Sequence, residues 1–337
     1  MPTLPHPDVP IVAAPMAGGV STPELVAAVT RAGGFGFLAG GLQPAAGLAD
    51  EVRRTRDLLG TAPFGVNLMV PGKEPPVDLT AFRRALQPVA ERFGVQVPEP
   101  VWGVDDDYPA KVEVLVRDPV AVVSFTFGIP DAGVVQRLHA AGSSLLVTVT
   151  NQAEAIAAWA AGADGLVVQG PGAGGHRGTH RPGLVPDQTP LPRLVAAVSE
   201  VVASPLFAAG GVSTAAQVEE VLAAGATACQ VGTLFLRCPE AGTSAVHRQA
   251  LDWERETVVT RCFSGRWARS LRNVFVDEMD EVGPVAYPQV QQLTAPVRAA
   301  AAKQGDAEFV QLWAGTGYRE AREVPAAEVV AGLWSRM

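Results

Sequence analysis

A glycine-rich segment with a single histidine is the part of the sequence whose residue types most directly suggest chemistry. Five of the nine residues from Gly170 to Gly178 are glycine, and His176 is the one imidazole among them. Glycine lets a backbone lie close to a flat ring, and imidazole can exchange a proton near neutral pH. A lone histidine is often structural, but packing alone would not require this backbone freedom. We therefore predict that His176 is catalytic.

Glycines also follow two other apolar runs, which are the seventh and eighth predicted strands. Gly210 and Gly211 follow the first of these runs, and Gly232 precedes Thr233 at the end of the second. Successive N–H groups without a neighbouring Cβ can converge on a phosphate, and Thr233 could add a hydroxyl donor. This pattern predicts a phosphate-bearing ligand, either a phosphosugar or flavin mononucleotide (FMN). The alternative is that these glycines only make tight turns between strands and helices.

The elements that must position these residues alternate between short apolar runs and longer runs rich in Ala, Leu, Glu and Arg. The predicted strands are 9–14, 36–39, 65–70, 121–125, 145–149, 165–169, 206–209 and 228–232. The predicted helices are 23–32, 48–59, 79–93, 109–117, 132–141, 153–161, 191–202 and 215–224. Successive β-then-α units predict an α/β fold, a closed TIM-type (β/α)8 barrel. An open doubly wound sheet is the alternative, but its G-x-G-x-x-G motif is missing after the first strand.

This alternation stops after Arg237, and about 100 residues follow it. Segments 244–256, 295–304 and 326–334 have helical patterns, and the proline-containing segment 283–296 is predicted to be a connector. We therefore predict a barrel domain at 1–237 and a helical or irregular C-terminal region at 238–337 that packs on one side or mouth of the barrel. The chemistry of such a barrel belongs at the carboxyl ends of its strands, where His176 and the glycines lie.

The composition excludes several other classes of protein. Acidic residues outnumber basic ones by 34 to 26, so the net charge of −8 lacks the basic excess that nucleic acid or anionic lipid would need. Hydrophobic residues make up 48% of the chain, enough for a large core, yet no apolar run reaches the ~18 residues of a membrane span. The three cysteines form no C-x-x-C pair, and residues 1–10 lack the pattern of a signal peptide. We predict a cytoplasmic protein without a structural disulfide or a metal site.

The remaining histidines and one acidic run are predicted to be structural. His6, His139 and His247 are interpreted as surface or terminal residues, and His180 as a loop or rim residue. The acidic run 105–107 is interpreted as a solvated loop or a helix start, because no His or Glu neighbours it to complete a metal site.

Nine motifs, in order along nearly the whole chain, resemble those of the nitronate monooxygenases, formerly called 2-nitropropane dioxygenases. Six lie in the predicted barrel: APMAGG (14–19), FGVNLMVP (64–71), VSFTFGIP (123–130), VVQGPGAGGHRG (167–178), AAGGV (208–212) and QVGTLFL (230–236). Three lie in the tail and look like those of class I members: FSGRWARSLRN (263–273), YPQVQQLTAPVRAAA (287–301) and LWAGTG (312–317).

The resemblance implies a barrel that binds FMN without a metal. The residues that it assigns to the cofactor are Ala14, Pro15, Met16, Asn67, Gln169, Gly174, Gly175, Gly210, Gly211, Gln230, Val231, Gly232 and Thr233. Pro15 and Met16 would lie along the flavin ring, and Asn67 and Gln169 would form hydrogen bonds with it. Gly174 would approach the ring by its backbone. Gly211 and the four residues from Gln230 to Thr233 would hold the phosphate end.

The same resemblance implies oxidation of alkyl nitronates by molecular oxygen to a carbonyl compound and nitrite, with propionate 3-nitronate as the usual physiological substrate. His176 matches the family's catalytic base, which only a neutral nitroalkane needs, because a nitronate has already lost its proton. With a nitronate, a cationic or hydrogen-bonding His176 would attract the anion. Two positions depart from many relatives: Thr126 replaces a histidine and Gly172 replaces a glutamate, and both changes bear on substrate range and turnover.

Three other functions remain open at this stage. The first is an FMN-dependent NAD(P)H:quinone or enoyl-acyl carrier protein reductase on a similar barrel. The second is a phosphosugar isomerase or aldolase, although no predicted strand ends in the Lys or Glu that such chemistry needs. The third is a non-catalytic flavin-binding module. The sequence is compatible with a monomer or a homodimer.

Overall fold

Eight short apolar runs form parallel strands that close into a barrel. The structure is a computed structural model and describes residues 4, 6–72 and 75–334. The barrel strands are β1 (Ile11–Ala13), β2 (Phe35–Ala39), β3 (Gly65–Met69), β4 (Val122–Thr126), β5 (Ser144–Val149), β6 (Gly165–Gln169), β8 (Leu206–Ala209) and β9 (Ala228–Val231), while β7 (Gly175–His176) lies outside the barrel. The eight barrel strands pair with one another in chain order, and β9 closes the barrel by pairing with β1, so that Val231 lies beside Ala13. The prediction of a (β/α)8 barrel is confirmed.

Helices cover the outside of the barrel, and four more lie in the described part of the C-terminal region. They are α1 (Pro23–Arg31), α2 (Ala45–Leu59), α3 (Thr80–Arg92), α4 (Tyr108–Arg117), α5 (Ala132–Ala141), α6 (Gln152–Ala160), α7 (Leu191–Ser199), α8 (Ala215–Ala223), α9 (Ala245–Ala250), α10 (Val274–Met279), α11 (Gln289–Gln304) and α12 (Ala326–Leu333). Local chemistry explains where they begin. At α1, for example, Thr22 Oγ1 accepts a hydrogen bond from the N–H of Leu25 at 3.0 Å, and Pro23 occupies the first helical position.

The interior of the barrel is filled with side chains, so a ligand cannot lie along its axis. Val12, Phe37, Leu146 and Val167 belong to one buried cluster inside the strands. A Cβ at Gly65 would lie only 2.3 Å from the Phe37 ring, which shows how tightly this layer is packed. The carboxyl-terminal mouth of the barrel is therefore the place where a site can form.

Several secondary-structure predictions for the tail are wrong. The predicted helix 244–256 ends at Ala250. The strand β10 (Thr257–Thr260), which was not predicted, follows it and pairs antiparallel with β11 (Ala268–Leu271). Strand β11 also pairs with β7, so that Ala268 lies beside His176. The antiparallel partners are brought together by the fold, and the short runs alone gave no signal strong enough to predict them.

The predicted connector 283–296 is also partly wrong, because α11 begins at Gln289 and continues through Pro296. Proline in a helix loses one backbone hydrogen bond and crowds the preceding turn. Here the helix buries an apolar face that includes Val290, Leu293 and Val297, and this burial outweighs the local cost.

The packing of the barrel and the tail crosses residue 237 in two places. Helix α12, at the end of the chain, packs against α1 and α8 on the outside of the barrel. Helix α3, from the barrel part of the sequence, packs against α10 and α11 of the tail. The division of the chain into domains at 237 remains a prediction.

Membrane-spanning helices and disulfide bonds were two features to look for in the fold. Within residues 4, 6–72 and 75–334, no helix combines the length and the apolar character needed to cross a membrane. The three cysteines, Cys229, Cys238 and Cys262, are buried free thiols.

Candidate active site

A cavity of about 580 Å³ opens where the carboxyl ends of the barrel strands meet the C-terminal region. All fourteen residues that the sequence analysis assigned to cofactor or catalysis line it. They are Ala14, Pro15, Met16, Asn67, Gln169, Gly174, Gly175, His176, Gly210, Gly211, Gln230, Val231, Gly232 and Thr233. The carboxyl ends of parallel strands converge at one mouth, so positions far apart in the chain meet there. The roles given to these residues remain predictions.

The loop that carries His176 is held from both sides. From the barrel, the Gln169 side chain donates through Nε2 to the His176 carbonyl at 3.0 Å and accepts at Oε1 from the Gly178 N–H at 2.8 Å. From the tail, the Arg269 guanidinium donates through Nε and Nη2 to the Pro171 carbonyl at 3.1 and 2.9 Å. Both polar atoms of the Gln169 side chain therefore hold the loop. The hydrogen bond from Gln169 to a flavin remains a prediction.

The His176 imidazole points into a cage of aromatic rings. The ring centroids of Phe127, Tyr287 and Trp313 lie 5.5, 5.6 and 5.4 Å from that of the imidazole. Its Nε2 is 2.8 Å from the Oγ of Ser264, a buried residue of the tail. These contacts fix the ring orientation and leave the imidazole in a largely apolar setting.

The charge state of His176 follows from these surroundings. Burial, together with the nearby guanidinium groups of Arg266 and Arg298, lowers the pKa of His176 to about 3. The imidazole is therefore neutral at neutral pH, with one nitrogen free to accept a proton. A neutral His176 agrees with two of the roles suggested by the sequence, a catalytic base and a hydrogen-bonding partner. It does not agree with the third, a cation that attracts the anionic substrate.

One wall of the cavity offers a fixed hydrogen-bond acceptor. The Asn67 Nδ2 donates to the Ser124 carbonyl at 3.2 Å, to the Ser124 Oγ at 3.0 Å and to the Thr126 Oγ1 at 3.0 Å. The amide oxygen of Asn67 is thereby left for a ligand N–H. Thr126, one of the two positions where the sequence departs from the expected motifs, thus contributes a hydroxyl that holds Asn67.

A second wall forms a cradle of glycine backbone. Gly210 and Gly211 have φ angles of +110° and +82°, in the region that favours glycine. Thr233 Oγ1 accepts from the Gly315 N–H at 2.9 Å, so its own proton is available to a ligand. The Gln230 Oε1 is buried and has no hydrogen-bond partner among the described residues. An anionic ligand with hydrogen-bonding groups would satisfy this arrangement.

The tail closes directly over this cradle. The Gly172 carbonyl accepts from the Thr316 N–H at 3.1 Å. A Cβ at Gly172 would lie 2.8 Å from the Thr316 Oγ1 and 3.0 Å from the Gly211 Cα. A glutamate at this position would therefore require a different placement of the tail, which gives a packing reason for glycine at 172.

Sequence reasoning missed the residues that the tail contributes. The prediction that His247 is a surface residue is wrong: it is 7% exposed and lines the cavity, and its Nε2 has no hydrogen-bond partner among the described residues. Gln291, Arg298 and Gln311 also line the cavity. The tail motifs indicated family resemblance, but nothing in them indicated which side chains face the barrel.

The buried His247 predicts a loss of stability in acid. Burial lowers the pKa of His247 to about 4, below the value of about 6.5 expected in the unfolded chain. The unfolded state then binds more protons between these values, so the free energy of unfolding falls as the pH falls from about 6.5 to about 4. The expected slope from this one group is up to about 1.4 kcal/mol per pH unit.

Chemical denaturation at a series of pH values from 7 to 4 measures this slope. His247→Leu is expected to reduce this slope by up to about 1.4 kcal/mol per pH unit, which corresponds to one proton. His6→Leu, which removes an exposed imidazole, is the matched control and should leave the slope unchanged. Identical pH dependence in His247→Leu and the wild type would contradict the prediction.

Comparison with known proteins identifies the family. The family model described as nitronate monooxygenase matches residues 5–335. A nitronate monooxygenase of Paraburkholderia phytofirmans is 37% identical, with 97% of this chain and 91% of the relative covered. The crystal structure of nitroalkane oxidase from Streptomyces ansochromogenes is 47% identical with a TM-score of 0.92, covering 97% of this chain and 95% of that one. The structure of FabK from Thermotoga maritima is more distant, at 25% identity and a TM-score of 0.74, with 97% and 92% covered. The chain therefore belongs to the nitronate monooxygenase family and is an oxidoreductase.

Proposed function

We propose that this protein binds FMN at the mouth of the barrel and uses it to oxidise alkyl nitronates with molecular oxygen, giving a carbonyl compound and nitrite. The observation that carries the proposal is the convergence of the predicted cofactor residues and a neutral His176 on one cavity. The printed names of the relatives, nitronate monooxygenase and nitroalkane oxidase, support the substrate class.

The residues present fit FMN. The glycine cradle at Gly210 and Gly211, with the Thr233 hydroxyl, would hold the phosphate, and the buried Gln230 Oε1 would gain a partner from the cofactor. The free amide oxygen of Asn67 would accept from a ring N–H. Bound FMN would supply the electron-accepting ring that these side chains lack.

The protein's own groups then account for the handling of the substrate. The aromatic rings around His176 exclude water from the reacting carbon and strengthen electrostatic interactions there. A neutral imidazole can remove the α-proton of a nitroalkane, a step that a nitronate does not need because it has already lost this proton.

Ser264 sets which imidazole nitrogen does this work. Its Oγ lies 2.8 Å from His176 Nε2 and 3.4 Å from the Arg266 carbonyl. When Ser264 donates to that carbonyl, it accepts the Nε2 proton of His176, and the lone pair of Nδ1 is left as the base. Ser264 is thus a positioning residue for His176.

Ser264→Ala is therefore expected to lower kcat/KM for neutral nitroalkanes by about 3- to 10-fold, the equivalent of one hydrogen bond. Steady-state rates with nitroethane and with ethyl nitronate measure this effect. Ser264→Thr retains the hydroxyl and is expected to recover part of the loss. An unchanged kcat/KM for nitroethane in Ser264→Ala would show that this contact does not position the base.

The function itself is tested on the purified protein by absorption spectroscopy and anaerobic stopped-flow mixing. A yellow protein that releases FMN on denaturation, is bleached by propionate 3-nitronate and forms nitrite in air is the expected result. Rapid bleaching by NADH or NADPH and none by the nitronate would instead identify a flavin reductase. A colourless protein that does not take up added FMN would overturn the flavin proposal altogether.

Three buried free cysteines are consistent with a reducing compartment, and we propose a cytoplasmic location. The monomer and the homodimer remain the two alternatives for the assembly, and sedimentation velocity distinguishes them.

A further inference from the structure

One wall of the cavity is lined by small apolar residues of the tail. Helix α11 begins two residues after Tyr287, whose ring contacts His176, and runs along the cavity from there. The face of α11 toward the cavity carries Ala295, Ala299 and Ala302, and this stretch of the helix is about 10 Å long. Alanine has no side chain beyond Cβ, so there is room beside the helix. The apolar lining continues at Met16, Val20, Leu236 and Val310.

Two buried polar atoms without partners lie at the far end of this wall. His247 and Gln311 line the cavity, and His247 is only 7% exposed. Neither the His247 Nε2 nor the Gln311 Oε1 has a hydrogen-bond partner among the described residues. The 3-10 turn Ala307–Phe309 packs against both α11 and α9, the helix that carries His247. The two atoms therefore lie toward the C-terminal end of α11, away from Tyr287.

The protonation state of His247 decides what it can bind. Burial lowers the pKa of His247 to about 4, so the ring is neutral at neutral pH and carries a single N–H. A hydrogen bond with the backbone of Trp313 opposes this shift, which identifies the Trp313 carbonyl as the acceptor of that N–H. The unpartnered Nε2 then presents a lone pair, and the Gln311 Oε1 also can only accept. A group that satisfies both atoms must donate a proton, which a carboxylate cannot do.

A hydroxyl is the donor that the rest of the cavity favours. Arg298, on the same side of α11, carries a permanent positive charge, and the described lining contains no Asp or Glu to balance a second cation. An ammonium group would therefore be repelled. A hydroxyl is uncharged and supplies the one proton that these acceptors lack. Buried acceptors are costly when they stay unpaired, so a ligand that pairs them is favoured over one that does not.

We propose that this arm of the cavity, from Ala295 to His247 and Gln311, binds the far end of the substrate's carbon chain, and that the enzyme prefers nitronates whose apolar chain ends in a hydroxyl. The proposal rests on the proposed nitronate oxidation. The phosphate of FMN has its own donors in the glycine cradle and Thr233, which belong to the barrel, whereas the arm is built mainly by the tail.

A matched pair of substrates isolates the terminal group. The nitronates of 6-nitrohexan-1-ol and 1-nitroheptane differ only in a hydroxyl that replaces a methyl group. The ratio of their kcat/KM values is measured for the wild type, His247→Leu and Gln311→Leu. His139→Leu is the control, because that imidazole contacts Asp164 outside the cavity lining. His247→Leu is expected to lower the ratio by about 10-fold, Gln311→Leu by about 5-fold and His139→Leu not at all. His247→Gln keeps an acceptor and is expected to recover part of the loss.

Binding to the wild type tests the arm even if a variant does not fold. In 7-hydroxyheptanoate and octanoate a carboxylate replaces the nitronate group and keeps its planar pair of oxygens, and the two compounds differ in the same terminal group. Calorimetric titration is expected to give at least ~5-fold tighter binding of 7-hydroxyheptanoate. Equal affinities, tighter binding of octanoate, or no binding of either compound would overturn the proposal.

The variants decide the remaining alternatives. An unchanged ratio in both His247→Leu and Gln311→Leu, or equal losses on the two substrates, would show that these side chains do not recognise the hydroxyl. Loss of bound FMN from His247→Leu would assign that residue to the cofactor and overturn the proposal. Tighter binding of 7-hydroxyheptanoate without oxidation of either nitronate would support the arm and instead reject the proposed function.

Discussion

His176→Asn is expected to lower kcat/KM for neutral nitroalkanes by about 10²- to 10⁴-fold, the usual contribution of a general base. Activity on preformed nitronates should fall much less, because their proton has already been removed, and bound FMN should be retained. Asparagine keeps a hydrogen-bonding group of similar reach but cannot accept a proton at this pH. The neutral state of His176, caused by its burial beside two arginines, is what makes it available as a base.

The measurement compares nitroethane with ethyl nitronate in steady-state assays, with FMN content determined for each preparation. His139→Asn is the matched control, because that imidazole contacts Asp164 at 2.7 Å outside the cavity lining. Equal losses on the two forms of the substrate would remove the assignment of His176 as a base and leave it a role in binding alone.

Gly174→Ala is the second substitution with a large expected effect. A Cβ at Gly174 would lie 2.5 Å from the Gly315 nitrogen and 2.6 Å from the Ala314 carbonyl carbon, which are backbone atoms that cannot rotate away. The loop carrying His176 and the tail would be forced apart at the cavity wall. We expect the free energy of unfolding to fall by about 1–3 kcal/mol and most of the FMN to be lost on purification.

Urea denaturation and the absorbance ratio at 450 and 280 nm measure the two effects. Gly133→Ala is the control, because Gly133 is helical and a Cβ there would meet nothing within 4 Å. That substitution is expected to be neutral or to stabilise the protein by up to about 1 kcal/mol. Normal stability and a full complement of FMN in Gly174→Ala would show that the tail yields easily and is not a fixed wall of the site.

Gly133 and Gly174 are expected to differ in how well they tolerate a side chain, although they are the same residue type. Gly133 could be replaced because its surroundings are open, and Gly174 could not because two segments of backbone meet there. The local sequence does not indicate this contact, because the residues that form it are about 140 positions apart.

Much of the barrel could nevertheless be predicted from the sequence. The alternation of apolar runs and helical patterns is a local signal, and each strand was predicted close to its observed bounds. The first strand is shorter than predicted, since β1 begins only at Ile11, after Pro10, which has no N–H to donate to a ladder. Because parallel strands end at one mouth, locating the strand ends also located Asn67, His176 and Gly211 at a common cavity.

The tail's share of the site was decided by tertiary structure alone. His247 and Arg298 are separated by 51 positions, and neither has a neighbour in sequence that indicates a ligand. Each becomes a cavity residue only because α9 and α11 fold over the barrel mouth and bury their polar side chains there. Periodicity shows which face of a helix is apolar, but it does not show which partner will cover that face or which polar group will be enclosed with it. Burial then changes the chemistry of the enclosed groups, since the low pKa of His176 arises from its surroundings and not from its place in the sequence.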